Sequence, residues 1–280
     1  MNMKSLHVAV AAGAALGLVT APASAELITD WDFNGSLEWV TDGGGAPTFT
    51  SGDGGGGTSV SSSLLSWGAA DDDNFIDDDG NFINVDANAS NSRSALEIGD
   101  TSFSGSLQTN GAAQDTAEVT HFNNAILSSY PLLQSASLLS SLTLTQAAPP
   151  GDGSFDDDRT FPIFFTETLN QDSCFEGSAS NCDDIFLLGG DPSDLQESFE
   201  VDGWLYTVSI VAAGLGTLND EACDEAGAGP GCFGFMTEED QATTAQFQLQ
   251  VSATQVPAPG ALGLLGVGLL GMGLAAARRR

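Results

Sequence analysis

Positive charge is almost missing from this sequence. The 280 residues hold 6 Lys and Arg against 38 Asp and Glu, and four of the six cations, Lys4 and Arg278 to Arg280, sit near the two ends. Between residues 26 and 277 only Arg93 and Arg159 face all 38 carboxylates, a net charge of −36. A surface of that potential repels phosphate, which excludes nucleic-acid binding and adhesion to anionic lipid headgroups. Histidine is scarce too: His121 is the only one after residue 25, and no G-x-S-x-G or other nucleophile motif accompanies it. Apolar residues are not lacking. With 16 Phe and 4 Trp the chain can build a core, so its acidity does not mean disorder. A single acidic domain over residues 26–255 is expected.

The ends read as addresses. Lys4, the apolar run Val8 to Val19 and Ala23-Ser24-Ala25 form a secretory signal peptide, with cleavage by signal peptidase at the Ala23-x-Ala25 site. At the other end, Val256-Pro257-Ala258-Pro259-Gly260 precedes Ala261 to Ala277, which is free of charge, and then Arg278-Arg279-Arg280. As a helix of 1.5 Å rise per residue that segment is about 26 Å long, just enough for a bilayer core. The arginines then stay cytoplasmic.

This tripartite tail, residues 256–280, resembles the PEP-CTERM sorting signal of exosortase substrates in Gram-negative bacteria that make extracellular polysaccharide. The resemblance implies a transient hold in the inner membrane and cleavage near Val256, Pro257, Pro259 and Gly260 by an exosortase-type enzyme. Release to the cell surface or extracellular matrix would follow. In an exported chain the four cysteines form disulfides rather than a zinc site. Three connectivities are open; Cys174 with Cys182 and Cys223 with Cys232 is favoured because each closes a short Asp/Gly/Ser-rich loop, a closure that contributes about 2.5 kcal/mol at best.

The mature chain alternates. Ile28 to Phe33, Ala117 to Phe122, Leu138 to Thr145, Phe161 to Thr168, Trp204 to Ile210 and Ala245 to Val251 read as strands, and no convincing amphipathic helix stands between the terminal segments. Residues 43–57, with eight glycines, read as a flexible loop with too few apolar groups to order itself. The runs Asp71–Asp73, Asp77–Asp79 and Asp156–Asp158 read as turns. The expected fold is an all-β antiparallel sandwich of jelly-roll or immunoglobulin-like type, flanked by the signal helix and the transmembrane sorting helix.

His121 is expected at a strand end, its ring hydrogen-bonded by Thr120 or Asn123 to fix a turn. Asp77, Asp79 and Asn81 offer hard oxygens suited to calcium, although Phe82 stands where an EF-hand loop needs glycine. The segment Thr120-His121-Phe122-Asn123 also resembles the signature of the THxN family of PEP-CTERM proteins. Supporting residues are Trp67-Gly68, Ser94-x-Leu96-x-Ile98, the Cys174 to Cys182 pair running into Asp184-Ile185-Phe186, and Gly234 to Glu239. Membership implies export and carries no biochemical activity. The sequence therefore points to an exported structural or adhesive protein without catalysis, associated with extracellular polysaccharide through cations or through exposed Trp67 or Trp204. A secreted hydrolase of glycosidase type, or a calcium-dependent glycan-binding module, is the competing reading.

Overall fold

A computed structural model describes residues 26–51, 58–68, 93–124, 126, 130–168, 174, 177–179, 182–190 and 192–257. The signal segment 1–25, the sorting segment from Ala258 onward and the calcium candidates Asp77, Asp79 and Asn81 lie outside them, as do Gly52 to Gly57. Among the described residues no helix is long and apolar enough to cross a membrane.

Period-two patterning makes strands, and it makes many. In chain order they are β1 (Asp30–Trp39), β2 (Thr48–Phe49), β3 (Ser59–Val60), β4 (Leu64–Gly68), β5 (Arg93–Ile98), β6 (Ser102–Gln108), β7 (Gln114–Phe122), β8 (Leu133–Ala148) and β9 (Ser154–Thr166). β10 (Asp184–Leu188), β11 (Gln196–Val201), β12 (Trp204–Ala213), β13 (Gly216–Thr217), β14 (Phe233–Thr237) and β15 (Ala242–Gln255) follow, with helix α1 (Asp220–Glu225) before β14. One sheet runs β13-β14-β10-β9-β8-β1-β6, with β2 also on β8; the other runs β11-β12-β15-β7-β5-β4-β3. The ladders within both sheets are antiparallel, giving a sandwich-like all-β domain.

The buried stripes match the alternation. Ala245, Phe247, Leu249 and Val251 point inward on β15, and Tyr206 and Val208 do so on β12. On β1 the inward stripe is Trp31, Phe33, Leu37 and Trp39, so the strand continues well past Phe33. Gly35 interrupts it because a Cβ there would lie 2.6 Å from the Phe103 ring and 2.5 Å from the Ser141 carbonyl. The core divides along the sandwich into a larger cluster around Trp39, Trp67 and Phe186 and a smaller one around Trp31, Tyr206 and Leu144.

Four expectations need correction. Residues 43–51 are ordered, because Phe49 packs on the larger core cluster and β2 pairs with β8 at Ser135 and Leu133. Asp156 to Asp158 lie within β9 rather than in a turn: Asp156 accepts from Thr143 Oγ1 (2.7 Å), and β10 covers β9 only from Ile163 onward. Carboxylates on that uncovered flank discourage pairing with a second chain. The helix α1 exists, six residues long and too short to leave a periodic trace; Asn219 Oδ1 caps it by accepting from Ala222 N–H (2.7 Å). Trp67, offered as a glycan contact, is fully buried, while Trp204 is half-buried.

Both expected disulfides are present, Cys174–Cys182 and Cys223–Cys232, and no described cysteine is free. Cys174–Cys182 closes the loop that leads into β10, and Cys223–Cys232 ties α1 to the residue before β14. Two such bonds indicate an oxidising environment, extracellular or periplasmic.

Candidate functional site

The inward stripes of several strands turn polar at one end of the sandwich. On β7 the stripe Ala117, Val119 is continued by His121; on β9 Ile163 and Phe165 are continued by Glu167 just past the strand; on β14 Phe235 is continued by Thr237 and then Glu239. The β4 stripe ends there on Trp67, and β10 begins there with Asp184. Polar groups from both sheets thus share one buried space.

His121, Trp67, Asp184, Asn123 and Thr237 are completely buried. The imidazole stacks on the Trp67 indole at 6.0 Å with 6° between planes, and meets the Phe165 ring edge-on at 4.8 Å. The expected hydrogen bonds to its ring are not made. Thr120 Oγ1 turns outward to Thr244 Oγ1 (2.8 Å), and the Asn123 side chain donates to the Thr237 carbonyl (3.0 Å), so neither serves the histidine. Both ring nitrogens are buried without a hydrogen-bond partner, and the nearest carboxylate oxygen, Asp184 Oδ2, stands 3.8 Å from Nε2. Burial lowers the His121 pKa to about 3, so the ring is neutral at physiological pH and the contact is not an ion pair.

The carboxyls are displaced in the opposite direction. Burial raises Asp184 well above the usual range; the neighbouring Glu167 and Glu239 charges add to this, and the Thr168 N–H donating to Oδ1 (2.9 Å) opposes it. Glu167 keeps some exposed stem surface, yet its Oε1 is enclosed, and burial pushes its pKa up to about 8 against the opposing hydrogen bond from Trp67 Nε1 (2.7 Å). Glu167 Oε1 and Asp184 Oδ2 are each enclosed without a hydrogen-bond partner. Burial thus favours the neutral form of His121, Glu167 and Asp184 alike.

Every discontinuous segment of the family resemblance reaches this end. Trp67 stacks on His121, and Gly68, with φ +110°, leaves space for Ile126, whose Cδ1 would lie 2.6 Å from an added Cβ. Ser94 Oγ donates to the Asn124 carbonyl and accepts from its N–H (both 3.1 Å), while the Asn124 side chain donates to the Arg93 carbonyl (2.5 Å). Cys182 leads into Asp184, with Thr168 Oγ1 donating to the Cys182 carbonyl (2.5 Å). Gly234 lets β14 approach β10, since a Cβ would fall 1.9 Å from the Phe186 carbonyl oxygen. Glu167 was not singled out by sequence; the available signal was a carboxylate on the inward parity of Phe161, Ile163 and Phe165.

Chemically, the cluster offers protonatable groups, with His121 and Asp184 fully buried. Among the described residues no three His, Cys, Asp or Glu side chains form a group able to hold a metal ion. Val256 and Pro257 of the sorting motif follow β15, where Val256 N–H donates to the Gly203 carbonyl (2.9 Å). Comparison with protein-family models gives no match, and neither does comparison with curated proteins.

Proposed function

We propose that this chain is an exported, non-catalytic structural or adhesive protein of the cell surface or extracellular matrix of a Gram-negative bacterium. It is sorted through residues 256–280 by an exosortase-type enzyme, passing transiently through the inner membrane, and it associates with extracellular polysaccharide. The observation that carries the reading is the pair of short-range disulfides behind a secretory leader, because such bonds persist only where thiols are oxidised. The near-total lack of cations on the mature chain adds that neutral or cation-bridged glycans, rather than anionic polymers, are its natural partners. Within the all-β frame we read the connections as jelly-roll-like, since the chain repeatedly passes from one sheet to the other. Membership of the THxN family fits the convergence of its signature segments around His121.

The test is intact-mass and fractionation analysis of the native protein with and without the host's exosortase. Loss of the segment ending in Arg280 in normal cells, and its retention without the enzyme, is expected; retention in both overturns the sorting reading. Calcium at Asp77, Asp79 and Asn81 is tested separately by thermal unfolding in millimolar calcium against chelator, with a rise expected.

One observation favours the glycosidase reading: Glu167 and Asp184 are paired carboxyls with raised pKa values. Retaining and inverting glycosidases hold their carboxyls about 5 Å or more apart to flank a sugar, whereas Asp184 is completely buried. Reducing-end release from host polysaccharide that disappears in Glu167→Gln would establish the hydrolase.

A further inference from the structure

The aromatic rings of this domain serve its interior, with one exception. Among the described residues Phe164 stands with 50% of its surface in solvent, while Ile163 and Phe165 on either side of it are buried. It points outward from β9, between Ser135 on β8 and Leu187 on β10. Leu187 is covered, because it and Ile185 pack against Ala222 of helix α1. The ring therefore lies on an open sheet face, at the foot of the step that α1 makes. Gly189 admits it there: a Cβ at that position would lie 2.8 Å from Phe164 Cε2 and 3.0 Å from Pro162 Cγ. The Gly189 N–H donates to the Pro162 carbonyl (2.7 Å), which keeps the two strands together at this point. A scattered exposed aliphatic residue needs no explanation, but an exposed ring seated against a glycine in mid-sheet does.

The side chains that share this face with the ring are uncharged. Across the β8–β9 ladder Ser135 faces Phe164, Ser137 faces Pro162 and Leu139 faces Thr160. Beyond Ser135, Thr48 on β2 joins it through a hydrogen bond between the two hydroxyls (2.6 Å). Neighbours on such a face stand about 5 Å apart across strands and about 7 Å apart along one, so these hydroxyls lie around the ring. Carboxylates begin further out. Asp158 and Asp156 share the outward parity of β9 beyond Thr160, whereas Asp157, of the opposite parity, accepts from Arg159 Nε (2.5 Å). Glu38 stands across from Leu139, and α1 carries the exposed Asp220, Glu221, Asp224 and Glu225. An aromatic face and a set of hydroxyls thus form an uncharged island inside an acidic rim.

We propose that this island binds a neutral polysaccharide, one sugar ring lying flat on Phe164 while its hydroxyls bond to those of Ser135, Ser137, Thr48 and Thr160. It rests on the extracellular-matrix reading and gives that reading a contact surface, which the buried Trp67 cannot supply. A sugar ring is amphipathic. Its C–H bonds point slight positive charge at the negative face of an aromatic ring, and its hydroxyls both donate and accept, as serine and threonine do. The rim turns away polymers that carry carboxylate or sulfate groups. It opposes a second copy of this chain in the same way, because pairing through the island would set one acidic rim against another.

The probes are cellohexaose, laminarihexaose and maltohexaose, three neutral glucan hexamers of different linkage, with an alginate hexamer as the anionic counterpart. They are titrated onto the full chain by calorimetry and by NMR of the Phe164 ring. At least one neutral hexamer binds and shifts the ring signals, and the alginate hexamer binds about tenfold or more weakly. Phe164→Ala, at an exposed position, stays folded and weakens the bound hexamer about tenfold, whereas Phe164→Trp keeps or tightens it. Binding of no neutral hexamer overturns both the site and the polysaccharide part of the matrix reading. Binding that survives Phe164→Ala undiminished, or alginate bound as tightly as the glucans, overturns the site and leaves that reading standing. Dimers in sedimentation that Phe164→Ala dissociates would overturn it in favour of a second copy.

Discussion

The His121 imidazole lies parallel to the Trp67 indole, 6.0 Å away, and that same indole donates its N–H to Glu167. Trp67 therefore does two jobs with one side chain, packing the neutral histidine and satisfying a buried carboxyl. Trp67→Phe keeps the first and removes the second. It is expected to cost about 1–3 kcal/mol, the penalty for stranding a buried polar group, and to raise the Glu167 pKa further by deleting the hydrogen bond that most lowers it. Urea unfolding at pH 6 together with carboxyl NMR measures both effects; an unchanged Glu167 titration contradicts the assignment.

His121→Leu is expected to be neutral or stabilising by up to about 1 kcal/mol. The imidazole's two nitrogens are buried without partners, so the folded protein bears their desolvation without return. An apolar side chain of similar size removes that cost and still covers Trp67 and Phe165. A loss of several kcal/mol on urea unfolding would show that the ring makes a polar contact after all.

The cluster sets a pH dependence with two opposing limbs. His121 has a folded pKa of about 3 against 6.5 when free, so the unfolded chain holds the extra proton between those values and stability rises with pH across them. Glu167 has a folded pKa of about 8 against 4.5, so the folded chain holds the extra proton and stability falls as pH climbs from 4.5 to 8. Asp184 adds to the alkaline limb in the same direction. Stability is therefore greatest near pH 4 to 4.5 and already declines by pH 6.5, because two carboxyls fall while one histidine rises, and each limb spans a few kcal/mol on the scale of about 1.36 kcal/mol per pKa unit. His121→Leu should flatten the acid limb and Glu167→Gln the alkaline one; melting curves from pH 3 to 9 decide it.

The strands were readable because alternation is a local property: Phe247, Leu249 and Val251 announce their face without reference to any neighbour. Strand ends were less so. Past Gly35 the β1 stripe resumes at Leu37, and the glycine is there for Phe103, a residue 68 positions away whose role no local pattern reveals. Asp156 to Asp158 have the composition of a turn, but Thr143 and Arg159 and an uncovered strand flank make them tolerable within β9. The disulfides were legible from short spacing. The His121 cluster was half legible: its segments were noticed, but the partner of the histidine was sought next door in Thr120 and Asn123. The sheet pairing sends both of those elsewhere and brings Trp67, Phe165 and Asp184 from three other strands.

The Cys174–Cys182 bond leads directly into Asp183 and Asp184, where Asp183 accepts from Ala179 N–H (2.9 Å) and its own N–H donates to Ser178 Oγ (2.8 Å). Replacing both cysteines by serine should cost about 2–3 kcal/mol. Because the bond anchors the approach to Asp184, hydrogen exchange at Asp183 and Asp184 should rise more than exchange at β12. Uniform change across both would mean that the bond acts on the unfolded chain alone.

Two glycines on neighbouring strands give opposite expectations. At Gly234 an added Cβ would lie 1.9 Å from the Phe186 carbonyl oxygen and 2.9 Å from its carbon, both backbone atoms that cannot swing aside without parting β10 from β14. Gly234→Ala should therefore cost about 3 kcal/mol or more and disturb the His121 cluster through Asp184 and Thr237, which face each other on that ladder. At Gly216, paired with Gly234 across β13 and β14, a Cβ meets nothing within 4 Å and the backbone φ is one that alanine adopts. Gly216→Ala should be neutral or stabilising by about 0.5 kcal/mol, through the lower entropy of the unfolded chain. If urea unfolding gives both variants the same penalty, close strand approach is not what Gly234 provides.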